Sequence, residues 1–156
     1  MNLLVLGGAG YIGSHFVKLA LSLGHKVIIV DNLLTGHVES IPKSAAFYEG
    51  DIRNRDFLRN VFEENTIDGC IHFAASSLVG ESMKNPIKYF DNNIYGTIVL
   101  LELMAEYDVK QLIFSSSAAT YGEHDKMPIT EEYETKPTNP YGESKLIMEK
   151  MIKWAD

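Results

Sequence analysis

Tyr141-Gly142-Glu143-Ser144-Lys145 puts a phenol and an ammonium four residues apart, which is one face of a helix. The chain has eight tyrosines, and Tyr141 is the only one with lysine at that distance. A phenol is a poor base at its ordinary pKa of about 10. An adjacent ammonium stabilises the phenolate and lowers that value, which makes the pair a candidate general acid and base at an alcohol. Ser115-Ser116-Ser117 follows the apolar run Leu112–Phe114, and a hydroxyl there could orient the same substrate oxygen. The plain alternatives are an exposed helical pair and a strand running out into a serine-rich turn.

Near the other end, Gly7-Gly8-Ala9-Gly10-Tyr11-Ile12-Gly13 satisfies G-x-x-G-x-x-G, and G-x-G-x-x-G counted from Gly8. Glycines at this spacing permit a tight turn, close backbone approach to a pyrophosphate and close packing of the next helix on its strand. The helix N-terminus then presents free N–H groups to the anion. Asp31 stands eighteen residues after Gly13, where a carboxylate can accept from both hydroxyls of an adenosine ribose. No Arg or Lys lies between it and Lys43, so a 2′-phosphate would meet negative charge without a basic partner. The pattern favours NAD over NADP. The competing readings are an ordinary glycine-rich turn and a turn-capping aspartate.

These groups need a frame. Short apolar runs at Leu3–Leu6, Val27–Val30, Ala45–Tyr48, Cys70–Ala75 and Leu112–Phe114 read as five strands, the last closed by the serines. Helix-like stretches lie between them. One runs from Tyr11 to Leu23 and is ended by Gly24. A second, capped by Asn54, runs through Phe57, Leu58, Val61 and Phe62. A long one goes from Pro86 to about Tyr107, and a last one starts near Tyr141. Strands apolar throughout are covered on both faces, and strand–helix alternation implies parallel, right-handed crossovers. The expectation is an α/β, Rossmann-like doubly wound parallel sheet of order 3-2-1-4-5, forming one dinucleotide-binding domain over residues 1–156.

Composition narrows the partners. The net charge is −7 and there is no basic cluster, which argues against nucleic acid and against an anionic membrane surface. No run has transmembrane length, and the first residues have neither the basic region nor the apolar length of a signal peptide. Cys70 is the lone cysteine, expected to be a buried, inert thiol, and the five histidines show no metal-ligand spacing. The expected compartment is the cytoplasm, with no metal.

The order glycine turn, acid, serine, Tyr-x-x-x-Lys makes the whole chain resemble the N-terminal half of the extended short-chain dehydrogenases/reductases, and within them the nucleotide-sugar epimerases. Gly7, Gly10, Tyr11, Ile12 and Gly13, followed by Ser14-His15, resemble the epimerase form of the glycine turn. Asp31-Asn32 resembles the ribose-binding pair, and Leu33, Leu34, Thr35 and Gly36 the cofactor-contacting loop. Asp51-Ile52 looks like the adenine-binding pair. Phe73-Ala74-Ala75-Ser76-Ser77 resembles the segment under the cofactor, although Ser77 stands where some members carry a lysine reaching the ribose. Asn92 looks like the nicotinamide-side asparagine; Ser115 joins the cofactor set, and Ser117, Tyr141 and Lys145 match the catalytic trio.

The resemblance implies a UDP-sugar substrate, held at Ser117 and Tyr141. It implies interconversion of UDP-galactose and UDP-glucose through a 4-keto intermediate with tightly held NAD. It also implies a homodimer through two helices, with Phe90, Ile94, Ile98 and Leu101 on one and Ile147, Met148 and Met151 on the other. The substrate domain that family members carry beyond this point is absent from this chain. Other UDP-sugars (UDP-glucuronate, UDP-N-acetylhexosamines, UDP-xylose) and a non-catalytic NAD-binding module remain alternatives. Sibling dehydratases place Asp-Glu between the strand-five hydroxyl and the next Tyr-Gly; Ala118-Ala119-Thr120 has no carboxylate there, which argues against dehydration.

Overall fold

In the computed structural model, which describes residues 1–156, the apolar runs become five parallel strands: β1 (Asn2–Leu6), β2 (Lys26–Asp31), β3 (Ala46–Glu49), β4 (Gly69–His72) and β5 (Leu112–Phe114). The helices are α1 (Tyr11–Ser22), α2 (Arg55–Glu64), α3 (Val79–Lys84), α4 (Pro86–Tyr89), α5 (Gly96–Glu106) and α6 (Pro140–Ala155). Two units are distinguishable: Met1–Ala74 with Ile98–Ser115, and Ala75–Thr97 with Ser116–Asp156.

The first unit holds the whole sheet, in the expected order β3-β2-β1-β4-β5. Alternation along each strand explains why the runs are apolar throughout. Leu4, Leu6, Ile28, Val30 and Cys70 turn to one face, against Leu58, Val61 and Phe62 of α2 and Val99, Leu100, Leu103 and Met104 of α5. Leu3, Val5, Val27, Ile29 and Ile71 turn to the other, against Val17 and Ala20 of α1. Each such side chain, fully buried, contributes roughly 1.5–3 kcal/mol. Burial pushes the Cys70 thiol up to about 12, so it stays protonated and inert. Asn54 caps α2 by accepting the Phe57 N–H at 3.1 Å, and Gly24, at φ +82°, turns the chain out of α1.

Three expectations need correction. β4 ends at His72 rather than Ala75; one further ladder bond, Phe73 N–H to the Leu6 carbonyl at 2.8 Å, is the last. Beyond it the backbone of Ser76 bonds a side chain, that of Asn93, instead of a strand. The stretch from Pro86 is not one α-helix. It is the single turn α4, a π-helical turn over Phe90–Tyr95, and α5. The Thr97 hydroxyl takes the Asn93 carbonyl at 2.7 Å where the helix is widened. α3 was not anticipated, because Val79-Gly80-Glu81-Ser82-Met83-Lys84 has no apolar period to read.

The second unit consists of α3, α4, the π-helical turn, a 3₁₀ turn at Ala118–Thr120 and α6. Pro140 occupies the first turn of α6, and the Asn139 side chain caps it, accepting the Gly142 N–H at 2.8 Å. Of the apolar residues expected on a shared outer face, Ile98 is exposed, and Phe90, Ile94, Leu101, Ile147 and Met151 are half-buried. Met148 is wholly buried and is core instead. No helix is long and apolar enough to cross a membrane.

Candidate active site

The glycine turn lies at the carboxyl end of β1, between β2 and β4, where the sheet's winding reverses and open α/β sheets take their ligands. Its glycines are there for different reasons. A Cβ on Gly7 would lie 2.7 Å from the Ala74 nitrogen, and φ is +79°. A Cβ on Gly13 would lie 2.1 Å from the Gly7 carbonyl oxygen. Both positions are closed by the protein itself. A Cβ on Gly10 would meet only the Gly7 oxygen, at 3.4 Å, so the fold does not require glycine there. Gly10 is also the N-cap residue of α1 and offers no side chain to the first-turn N–H groups. Tyr11 and Ile12 stand 84% and 60% exposed. The turn thus leaves an uncapped helix start with open space before it, which a pyrophosphate fits.

Asp31 ends β2 and is nearly buried. One carboxylate oxygen accepts the Ala9 N–H of the glycine turn and the other the Leu33 N–H, both at 2.9 Å. Leu33 has φ +56°, held by that bond, and the Leu34 N–H turns back to the Asn32 side chain at 3.1 Å. Gly36 packs so closely that a Cβ would lie 2.9 Å from both Ala9 Cβ and Asp31 Oδ1. The His37 N–H and the Ser40 hydroxyl both reach the Ala9 carbonyl, at 3.1 and 2.9 Å. Asp31 therefore does serve as the turn-capping residue of the plainer reading, and it welds the Asn32–Gly36 loop to the glycine turn. Leu34 and Thr35 remain exposed at its tip.

Asp51 is held by Arg53 from three directions: Nε and the backbone N–H at 2.9 Å and Nη2 at 2.7 Å. This holds its carboxyl at about 2. The Asn32 side-chain amide donates to the same Oδ2 as Arg53 Nη2, at 3.4 Å. Ile52 buries its side chain in the core, so it can offer a ligand only its backbone. Phe73 stacks obliquely on Phe16 of α1 with ring centroids 5.6 Å apart. Ser115 extends the β5 ladder through its N–H to the His72 carbonyl at 3.1 Å.

In the second unit, Ser117 opens the Ala118–Thr120 turn. Its hydroxyl accepts the Ala119 N–H at 3.2 Å, and its carbonyl accepts the Thr120 N–H and hydroxyl at 3.1 and 2.8 Å. That turn presses on α6: a Cβ on Gly142 would lie 2.4 Å from the Ala119 oxygen. Glycine beside Tyr141 is what lets the serine turn and the start of α6 meet. Tyr141 is half-buried, with the ring of Tyr89 edge-on at 6.4 Å. Lys145 is only 3% exposed, and burial brings its proton affinity down to about 8.

Several organising residues escaped the sequence reading. Asn93, fully buried, accepts the Ser76 N–H at 2.8 Å, donates to the Ser76 carbonyl at 3.1 Å and donates to the Ser144 hydroxyl at 2.9 Å. Ser144 in turn donates to the Tyr141 carbonyl at 2.7 Å. Asn92, half-buried beside it, donates to the Asn93 side chain at 2.9 Å. One turn earlier, the Tyr89 hydroxyl accepts the Leu78 N–H at 3.1 Å and lies 2.7 Å from the Leu78 carbonyl and 2.8 Å from the Glu81 carboxylate. Burial, then the Glu81 charge, push that phenol up to about 12. The signal was present as polar residues four apart, Tyr89 and Asn93, inside a stretch read as helix. Ser77, just past this anchorage, is exposed.

The chain belongs to the NAD dependent epimerase/dehydratase family, whose sequence model matches residues 3–156. It is 57% identical over 156 residues to a UDP-glucose 4-epimerase of Lacticaseibacillus casei, with 100% of this chain and 47% of the relative covered. A crystal structure of a UDP-glucose 4-epimerase superposes with a TM-score of 0.97 at 55% identity, over 99% of this chain and 47% of that one. The Bifidobacterium longum UDP-glucose 4-epimerase, solved in complex with NAD+ and UDP, superposes with a TM-score of 0.93 at 44% identity, covering 98% and 48%. The chain thus spans about half the length of the curated relatives it matches, 47% for the L. casei enzyme.

Proposed function

We propose that this chain is the cofactor-binding and proton-handling half of a UDP-glucose 4-epimerase. NAD, when bound, supplies a reversible hydride acceptor for the sugar's C4. The observation that carries the reading is the pairing of two arrangements in one chain of this family: the uncapped α1 start with its open Gly10 position, and Tyr141 with Lys145 one turn further along α6. The first-turn N–H groups of Tyr11, Ile12 and Gly13 hold the pyrophosphate. Each Asp31 oxygen already accepts one N–H, and a carboxylate oxygen accepts about two, so capacity remains for the ribose hydroxyls. Asp51 and the Ile52 backbone face adenine. The loop from Phe73 to Ser77, with Asn92 and Ser115, borders the nicotinamide ribose. Tyr141 takes the proton of the sugar 4-hydroxyl and gives it back, Ser117 orients that oxygen, and Lys145 binds ribose hydroxyls and supports the phenolate.

Relatives that are UDP-glucose 4-epimerases, one of them solved with NAD+ and UDP, support UDP-glucose as a sugar, and a UDP-galactose 4-epimerase of like structure supports UDP-galactose. The lone reduced cysteine fits work in the cytoplasm. Exposed Ile87, Tyr95 and Ile98 support a homodimer through α4–α5 and α6, which sedimentation at tens of micromolar checks; a pure monomer would contradict it. The functional test has two arms. Calorimetric titration of the 156-residue chain should show NAD binding about tenfold or more tighter than NADP, roughly 1.4 kcal/mol. The chain joined in frame to the second half of the L. casei relative should convert UDP-galactose to UDP-glucose. Equal affinity for the two cofactors, or a joined protein that binds NAD without turnover, would overturn the reading.

A further inference from the structure

Tyr141, Lys145 and Glu149 follow one another at four-residue steps along one stripe of α6. The first two belong to the proposed chemistry; the third has no part in it. We propose that Glu149 is a positioning residue for the Tyr141–Lys145 pair: it supplies the counter-charge to the buried ammonium and, through Ser116, locks that charge to the turn that carries Ser117. This rests on the reading of Tyr141 and Lys145 as the proton-handling pair.

An ammonium taken out of water loses its hydration and tends to lose its proton. Lys145 is in that position, and the charge that works against the loss is Glu149's, one turn away on the same helix. A carboxylate on an outer turn would ordinarily swing into solvent and be screened. Here the Ser116 hydroxyl donates to its Oε1 and favours one orientation. Ser116 immediately precedes Ser117, so the bond ties the lower half of α6 to the serine turn, as the Gly142–Ala119 contact ties the upper half. The Tyr121 phenol, just beyond that turn, also feels the Glu149 charge.

Other titratable groups lie on the elements packed against α6. Glu81 of α3 is engaged by Lys88 and Tyr89 of α4, Tyr121 bonds Glu131, and Asp91 on the π-helical turn is exposed. Glu149 is the carboxylate among them that raises the proton affinity of Lys145. Glu149 thereby helps keep Lys145 charged beside Tyr141.

The test needs neither cofactor nor sugar. The chain is labelled with lysine carrying ¹³C at Cε, and the Lys145 resonance is identified by its absence in Lys145→Arg. Its chemical shift is then followed against pH. The wild-type inflection should lie near 8. Glu149→Gln should lower it by roughly one unit, the loss of one nearby opposite charge. Glu149→Asp, which keeps a shorter carboxylate, should recover part of the shift. Ser116→Ala, which keeps the charge but frees the side chain, should give a smaller downward shift, and it decides the matter if the Gln variant does not fold. An inflection that stays at the wild-type value in these variants would overturn the proposal. Failure of the chain to bind NAD would overturn the functional reading while leaving this titration intact.

Discussion

At the scale of single residues, the glycine turn separates folding from binding. Gly7 and Gly13 are closed by backbone atoms at 2.7 and 2.1 Å, whereas Gly10 faces open space. Gly7→Ala must move Ala74 or hold alanine at φ +79°, a strain on the order of 1–3 kcal/mol. It should lower the urea midpoint accordingly. Gly10→Ala should leave the unfolding free energy within about 0.5 kcal/mol of wild type and weaken NAD binding, because its methyl enters the space proposed for the pyrophosphate. Equal losses of stability in both variants would contradict this division. Tyr141→Phe isolates the proposed chemistry in the same way: ring volume stays and the phenol oxygen goes. In the joined, active form kcat should fall by at least about 10² with NAD affinity unchanged. A variant keeping more than half the wild-type rate would remove Tyr141 from the mechanism.

At the scale of elements, Asn93 is the fastener of the second unit, joining the backbone of Ser76 to Ser144 on α6. Asn93→Ala takes the side-chain partner from the half-buried Ser76 N–H and carbonyl and leaves the Ser144 hydroxyl only the Tyr141 carbonyl, at about 1–3 kcal/mol for each group that water does not reach. We expect hydrogen exchange at Ser76 and around Ser144 to accelerate, with exchange in β1 and β2 unchanged. Uniform acceleration would mean that Asn93 supports the whole chain rather than one anchorage. This residue also marks where sequence reading gave out. Strands such as Val27–Val30 and helices such as α2 were legible because alternation and caps act over a few neighbouring residues. The glycine turn, Asp31 and the Tyr141–Lys145 spacing were legible for the same reason. The π-helical turn, α3 and the early end of β4 were not. α3 has no apolar period to read, and the π-helical turn and the end of β4 lie beside a bond between residues far apart in the chain, Asn93 with Ser76, which no local period records. The reach of Glu149 to Ser116 is hidden in the same way.

At the scale of the whole molecule, the sheet has two edge strands, β3 and β5. β5 is an edge strand, and Ile113, level with the buried Ile71 of β4, is 62% exposed. Parallel strands are ordinarily covered on both faces, and at Ile113 this one is not. The glycine turn, Asp31 and Asp51 are assembled within the first unit by bonds of about 2.7–3.4 Å that need nothing from outside it. Adenosine and pyrophosphate binding should therefore survive in the 156-residue chain. NAD at a hundred times its dissociation constant should add about 2.7 kcal/mol, which for a chain of this size raises Tm by roughly 5–10 °C. Turnover is another matter, because transfer at C4 requires near-attack geometry and a misplacement of about one ångström already costs about 10² in rate. The chain alone should bind NAD and show no measurable conversion of UDP-galactose. The two measurements belong on one preparation, freed of host epimerase: a melting curve with and without NAD, then an assay with added NAD. A rise in Tm without turnover is the expected pair. Turnover within about tenfold of the joined protein would show that these 156 residues contain the sugar pocket as well, and the proposed division between the halves would fall.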